Sequence, residues 1–595
     1  MPEIKKEHSN ILAYLFGKTW KYANEWRSKI VVFWTMFICA EAVELFITPF
    51  LWAQIMNVIQ MQGITEKNIW HVCGLLLLTL GIDIAFWLIH GPARVIECFT
   101  AFHVRMNYRE YLLKGVMTLP LQWHTDHHSG DTIDKVDKGT RALYGFSSGS
   151  FQIIYALVRL IGCYAVLTYF SHSASVIVLG MVMLTAWIIM RFDRVLVAQY
   201  QQLNKSENKI SESVFDAISN ITTVIILRVE RLVFNAIMEK VRKPYQIYKH
   251  NTIINEIKWF LVSICNQIMT IAVLSIYFWH NVLAHKNIMI GDVYLLIKYL
   301  ENISNLFFQF AQLYGDTLQR KAQVLNAEEL SKSFSEESFT NHVLPAYWQR
   351  LQVESLSFSY HQTQEENLHL ENISLAFSRG QRVAFVGTSG SGKTTCLKVL
   401  RELYKPTTLT LTVDGVLIPE GFGGIARAIS LVPQDSELFA TTILENITLG
   451  ADYDIEFVRT FTDMACFTDV VMGLPYQFNS SIKEKGVNLS GGQKQRLALS
   501  RGLLACHDKD ICLLDEPTSS LDAITEMKIY QNIFKAFEGK LIISSVHKLH
   551  LLPLFDVIYL FDEGRIVAHG SLDQLLVHSS QFQELWQQQH EEKVT

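Results

Sequence analysis

Gly387-Thr388-Ser389-Gly390-Ser391-Gly392-Lys393-Thr394 sets three glycines, a lysine and a hydroxyl in the order that cradles phosphate. The glycines let successive backbone N–H groups turn inward, at a helix N-terminus that favours negative charge. Lys393 can reach the β- and γ-phosphates of a nucleotide, and the Thr394 hydroxyl can take a place on Mg²⁺. Further along, Asp510-Ile-Cys-Leu-Leu-Asp-Glu-Pro517 is an apolar run ending in two carboxylates. Asp515 is suited to hold Mg²⁺ through water, and Glu516 to polarise an attacking water as general base. Two acids at a strand end can be merely solvated, but beside a full phosphate loop they read as catalytic.

These residues need a strand before the loop and a helix after it. Residues 383–386 are a short apolar run that predicts the strand, and Thr395 with residues 396–400 predicts the helix. At 595 residues the chain is long enough for several domains, and its composition is uneven. Residues 30–316 hold long apolar runs, whereas 350–595 read as a soluble α/β domain, with a polar linker at 317–349. A net charge of −5 offers no concentrated basic surface for nucleic acid. The nine cysteines show neither a CxxC pair nor a matched histidine spacing, and they read as small apolar filler. Residues 1–29 carry Leu12, Tyr14, Leu15, Trp20, Tyr22 and Trp26 among lysines, an amphipathic segment suited to a membrane surface or to a solvated linker helix.

The apolar half predicts six spans, at 30–58, 69–90, 151–170, 174–190, 259–283 and, more polar, 290–313. Lys5, Lys6, Lys18, Lys21, Arg27 and Lys29 place the N-terminus in the cytoplasm. The connections at 59–68, 171–173 and near 284–287 are short and nearly free of Lys and Arg, whereas 94–141 and 191–258 are long and charged. Spanning helices that continue well into the cytoplasm follow. Breaks within 119–137 and 213–230 suit short transverse helices touching the nucleotide domain, or ordinary helix–helix turns. An even number of spans also puts that domain in the cytoplasm.

Between the loop and the carboxylates lies Leu489-Ser490-Gly491-Gly492-Gln493. With the phosphate loop, Asp515-Glu516 and a later histidine, this order resembles the ATP-binding cassette (ABC) transporters over essentially all of 350–590. The six spans ahead of it resemble the exporter branch, with one membrane and one nucleotide domain per chain. The expected fold is therefore an α-helical six-span membrane domain plus an α/β P-loop ATPase domain. The resemblance implies that Tyr360 stacks on adenine, with a core tyrosine as the plainer alternative. It also implies that Gln434 meets Mg²⁺ and water, that Ser519 and Asp522 lie on a loop crossing a dimer interface, and that His547 contacts the γ-phosphate. Lys548 stands where exporters usually have Arg, and His550 lies close by. In such proteins two ATP molecules are held between two nucleotide domains, with Ser490, Gly491 and Gly492 of one chain closing over Lys393 of the other. A homodimer is expected, since no catalytic position is degenerate; a heterodimer is the alternative.

Charges inside spans are costly and mark cavities or paired networks. Here they are Glu41, Glu44, Asp83, Arg159, Lys298 and Glu301. They read either as a paired network or as the lining of a pathway whose surplus negative charge favours a cationic or zwitterionic cargo. Residues 134–143 bear a short similarity to exporters of glutathione-linked compounds, and no fused peptidase domain is expected ahead of the first span. The sequence reading is ATP-driven export or flipping of a small molecule, lipid or peptide, with ATP and Mg²⁺ as cofactors, across a bacterial inner membrane with the ATPase domain in the cytoplasm. A non-transporting regulator or channel gate is the alternative.

Overall fold

The computed structural model describes residues 11–127, 129–170, 172–334, 344–345, 347–360, 369–435, 437–482 and 489–591. Lys5 and Lys6 lie outside them. The chain divides into two compact units, one comprising residues up to Thr118 with Ser129–Ser335, the other Leu119–His128 with Glu336–Thr595.

The first unit is helical. Among the described residues, five stretches are long and apolar enough to cross a membrane: Ile11–Gln62, Ile69–Met117, Ser129–Phe170, His172–Ser219 and Glu230–Leu283. At about 1.5 Å per residue, the 49-residue helix Ile69–Met117 runs about 70 Å, more than twice a hydrocarbon core of about 30 Å. The sixth expected span is present as the helix Ile290–Ser331, yet it is not among the five. Its apolar residues Leu295, Leu296, Tyr299, Leu300, Ile303 and Leu306 are buried against protein, and Asp292, Lys298 and Glu301 interrupt the rest. The helices approach closely where a side chain is missing: a Cβ on Gly291 would meet the carbonyl oxygen of Ala53 at 2.3 Å.

Two sequence expectations change here. The Ile290–Ser331 helix runs through the first half of the expected linker, because Thr317, Lys321, Val324, Ala327 and Leu330 recur at helical spacing and are buried. The polar composition of 317–331 belongs to the opposite face. In the N-terminal segment, the helix Ile11–Ala23 buries Leu15, Thr19, Tyr22 and Ala23 within the unit. Tyr14 Oη donates to Glu328 Oε2 at 2.6 Å, Lys18 pairs with the same carboxylate, and Thr19 bonds Ser147 at 2.9 Å. Its inner face is thus covered by protein, not by lipid. The breaks expected within 119–137 and 213–230 appear as the short helices Leu121–Asp126 and Ile221–Ile226.

The second unit is built on a six-stranded sheet in the order 565–570, 557–562, 382–386, 541–545, 511–515, 429–432. The last five of these run parallel to their neighbours; only Arg565–Gly570 is antiparallel. Parallel strands covered on both faces require near-continuous apolar runs, and Val383–Val386, Ile511–Leu514 and Leu541–Ile543 supply them. Val383, Phe385, Ile511, Leu513, Leu541 and Ile543 face one core; Ala384, Val386, Cys512, Leu514 and Ile542 face the other. A second, antiparallel sheet of four strands (370–378, 350–358, 408–413, 416–417) closes the first of these cores. The phosphate-loop strand and the carboxylate strand are each neighbours of Leu541–Ser545, so three strand ends open side by side.

Candidate nucleotide-binding and hydrolysis site

The phosphate loop leaves the strand Arg382–Val386 and enters the helix Lys393–Leu400 through Gly392, whose φ of 104° lies in the left-handed region. A Cβ at Gly387 would come within 2.2 Å of the Phe561 carbonyl oxygen, so both positions require glycine. Lys393 is folded over the loop: its Nζ donates to the carbonyl oxygens of Gly387 and Thr388, each at 2.8 Å. Burial pulls the pKa of this ammonium down, against the opposing pull of Glu516 and Asp515.

Thr394 Oγ1 donates to Asp515 Oδ1 at 2.9 Å. Burial raises the Asp515 carboxyl above its usual range, and the Thr394 bond draws it back only in part. Glu516 follows with φ 47°, a left-handed conformation that costs a non-glycine residue on the order of 1–3 kcal/mol. Its two oxygens face different partners: Gln434 Nε2 donates to Oε2 at 2.8 Å, and His547 Nε2 stands 3.6 Å from Oε1. The structure thus brings Lys393, Thr394, Asp515, Glu516, Gln434 and His547 to one edge of the sheet.

Tyr360 donates through its hydroxyl to Thr395 Oγ1 at 3.3 Å, and its ring meets Phe358 and Tyr404 edge-on. It stands beside the loop within an aromatic group and packs against the core. Ser490 caps the helix Gly491–Cys506: its Oγ accepts from Gln493 N, and Gln493 Oε1 accepts from Ser490 N at 2.9 Å. Asp522 caps Ala523–Ala536 by accepting from Thr525 N at 2.9 Å, a bond that lowers its carboxyl pKa. Thr388, Ser389, Gly390, Ser391 and Gly392 form the loop itself.

Two residues with no motif of their own also shape the site. Gln495 Nε2 donates to Ser519 Oγ at 2.9 Å, and its Oε1 accepts from Ser520 N at 2.9 Å, so it pins the segment after Glu516. Glu526 is buried, and its Oε1 accepts from Thr518 Oγ1 at 2.5 Å. Its position four residues past the Asp522 cap was the one available signal. Behind Glu516 a cavity of about 530 Å³ is lined by His547, Glu526, Lys548 and His550, among others.

In the membrane unit, Glu41 is buried and held by Arg159, whose Nη2 donates to Oε2 at 3.3 Å. Lys298 pairs with Glu301 at 3.1 Å on an exposed face. Glu44 and Asp83 are exposed.

Comparison with known families resolves the architecture. The ABC transporter transmembrane region model matches residues 31–305, and the ABC transporter model matches 370–519, together well over half of the chain. The chain belongs to the ABC transporter family. Within that family it is 27% identical over 80% of its length to heavy metal tolerance factor 1 of Caenorhabditis elegans, spanning 60% of that protein. It is 31% identical over 51% of its length to the heterocyst differentiation ATP-binding protein HepA of a Nostoc strain, spanning 49% of that protein. It is 27% identical over 79% of its length to the mitochondrial iron-sulfur clusters transporter ATM1 of Saccharomyces cerevisiae, spanning 69% of it. The fold matches a bacterial Atm1-family ABC exporter with ATP bound, with a TM-score of 0.80, 21% identity, and 95% of this chain and 99% of that one covered. An ABC membrane region fused ahead of an ABC ATP-binding domain makes this chain a multi-pass membrane protein.

Proposed function

We propose that this chain is an ATP-driven exporter that works as a homodimer, alternating between inward- and outward-facing states as two nucleotide domains close and separate. The observation that carries the reading is Glu516, held at a strand end between Gln434 and His547 beside the Lys393 loop.

ATP is bound by residues 387–395, with Tyr360 against adenine and Lys393 on the β- and γ-phosphates. A hard, oxygen-only pair stands where a divalent cation is needed: Thr394 Oγ1 and Asp515 Oδ1 lie 2.9 Å apart, with Gln434 and Glu516 alongside. That donor set suits Mg²⁺, which keeps waters and substrate oxygens in its shell and would offset phosphate charge there. Glu516 takes the proton of the attacking water as its oxygen joins the γ-phosphorus and the bond to ADP breaks. Gln434 orients the carboxylate through Oε2, leaving Oε1 on the His547 side, where His547 can donate to the phosphoryl oxygens. Ser490, Gly491, Gly492 and Gln493 of a second copy complete the site by adding a helix N-terminus to the γ-phosphate, with Ser519 and Asp522 at the interface. The exposed apolar residues Ile221, Ile225 and Ile226 of the short cytoplasmic helix favour a second copy as well.

The relatives' names differ widely in cargo, and for this chain we infer export or flipping of a small molecule, lipid or peptide bearing a polar or cationic group, across a bacterial inner membrane with the ATPase domain in the cytoplasm. The test is ATP hydrolysis by the purified chain in lipid nanodiscs, alone and with panels of lipids, peptides, drugs and glutathione conjugates. Hydrolysis by the chain alone, abolished in Glu516→Gln and raised by one cargo class, is expected. A strict requirement for a second polypeptide would sink the homodimer, and no hydrolysis under any condition would turn the reading to a regulator.

A further inference from the structure

Glu526 is 3% exposed on the helix Ala523–Ala536, and Thr518, Lys548 and His550, which meet its carboxylate, lie just after Glu516 and His547. Its Oε1 accepts from Thr518 Oγ1 at 2.5 Å, two residues beyond Glu516. Its Oε2 lies 3.2 Å from the Nζ of Lys548, the residue after His547, and 3.6 Å from His550 Nε2. The same Lys548 Nζ donates to the Leu521 carbonyl oxygen at 2.8 Å, reaching the loop that runs to Asp522. A buried carboxylate is costly unless compensated, and here one oxygen is hydrogen-bonded while the other is met by ion pairs, so loss of either partner carries that cost. A compact ammonium with rotatable donors can divide itself between a carboxylate and a carbonyl, and a guanidinium there would keep the pair with the carboxylate.

We propose that Glu526 is a positioning residue for ATP hydrolysis, holding Glu516 through Thr518 and His547 through Lys548 so that the base and the histidine keep one separation. The proposal rests on the roles assigned above to Glu516 and His547. Gln495 grips Ser519 and Ser520 from the helix that Ser490 caps, so the segment between Glu516 and Asp522 is clamped from two sides. Glu526 supplies the clamp that also reaches His547. Loosening it changes the reacting geometry and leaves the nucleotide-holding loop at Lys393 intact.

The experiment measures ATP hydrolysis by the full chain in nanodiscs for Glu526→Gln, Lys548→Gln, their double variant and Lys548→Arg. Melting temperature and affinity for a fluorescent ATP analogue are followed in parallel. Glu526→Gln and Lys548→Gln are each expected to lower kcat about tenfold or more with little change in KM, as misplacement of a catalytic group does. The double variant should be no worse than the poorer single one, because both break one clamp, and Lys548→Arg should recover most of the rate. Parental kcat in Glu526→Gln, or single effects that multiply in the double variant, would overturn the proposal. Should Glu526→Gln fail to fold, equal rates in Lys548→Gln and Lys548→Arg would overturn it instead. Undiminished hydrolysis in Glu516→Gln would strike the base assignment itself, a result distinct from either.

Discussion

The charged residues of the nucleotide unit and those of the membrane unit are arranged on different principles. Around the phosphate loop Lys393, Thr394, Asp515, Gln434 and Glu516 are all joined to neighbours within 3 Å. In the spans the set divides: Glu41 is buried against Arg159, Lys298 leans on Glu301 in an exposed pair, and Glu44 and Asp83 are exposed. The first arrangement is that of a site whose chemistry is the same at every turnover. The second divides its charges, with one acid buried in the frame and the others exposed.

The sharpest break of that contrast is Glu516→Gln. Loss of a general base typically costs 10²–10⁴-fold, and hydrolysis is expected to fall by about that much while ATP binding persists. Next in size is Arg159→Met, which leaves Glu41 buried without its partner; a loss of about 3 kcal/mol is expected, read as a lower midpoint in thermal unfolding. Adding Glu41→Gln should restore most of it. Glu44→Gln should leave that midpoint alone and change only cargo-stimulated hydrolysis. If it changes neither, Glu44 is no part of the pathway.

A smaller effect comes from the raised pKa of Asp515. A proton competes with a cation for this carboxylate at a higher pH than it would at an exposed aspartate, so Mg²⁺-dependent ATP affinity should weaken as pH falls toward the acid range, with protons released on binding. Isothermal titration calorimetry in two buffers of different ionisation heat checks both. Stability runs the other way. A folded-state pKa above the unfolded one means the folded chain holds its proton more tightly, so this group favours folding below the unfolded value and loses that contribution as pH rises through the folded one. Asp515→Asn is therefore expected to stabilise the chain without nucleotide while abolishing hydrolysis. Smallest of all, Lys298→Met breaks an exposed i,i+3 pair and should cost less than about 0.5 kcal/mol in the same unfolding assay.

Much of the nucleotide site was legible because its signals are local. Gly392, Lys393 and Thr394 act within one turn, and Ser490 caps the residue three positions on. What stayed hidden joins distant segments. Glu526 meets Lys548 across 22 positions, and nothing in either neighbourhood names the other. The Ile11–Ala23 helix shows an amphipathic face whose occupant composition cannot identify; Glu328, more than 300 residues away, takes Tyr14 and Lys18. At 317–331 polar residues suggested a linker because the buried stripe is thin, five positions among fifteen. The sixth span is the most polar in sequence because its apolar residues serve protein contacts.

In the proposed homodimer the Ser490–Gln493 capping box carries a consequence for how the copies would meet. Each end of the box satisfies the other, so the N-terminus of Gly491–Cys506 is a finished, preorganised surface in a single chain. Nothing there has to be ordered when a triphosphate arrives from the opposite face, and the conformational entropy of closure falls elsewhere. The speed of engagement is then governed by the rigid-body approach of two ready-made halves, and a variant that unravels this cap should slow association well before it weakens the closed pair.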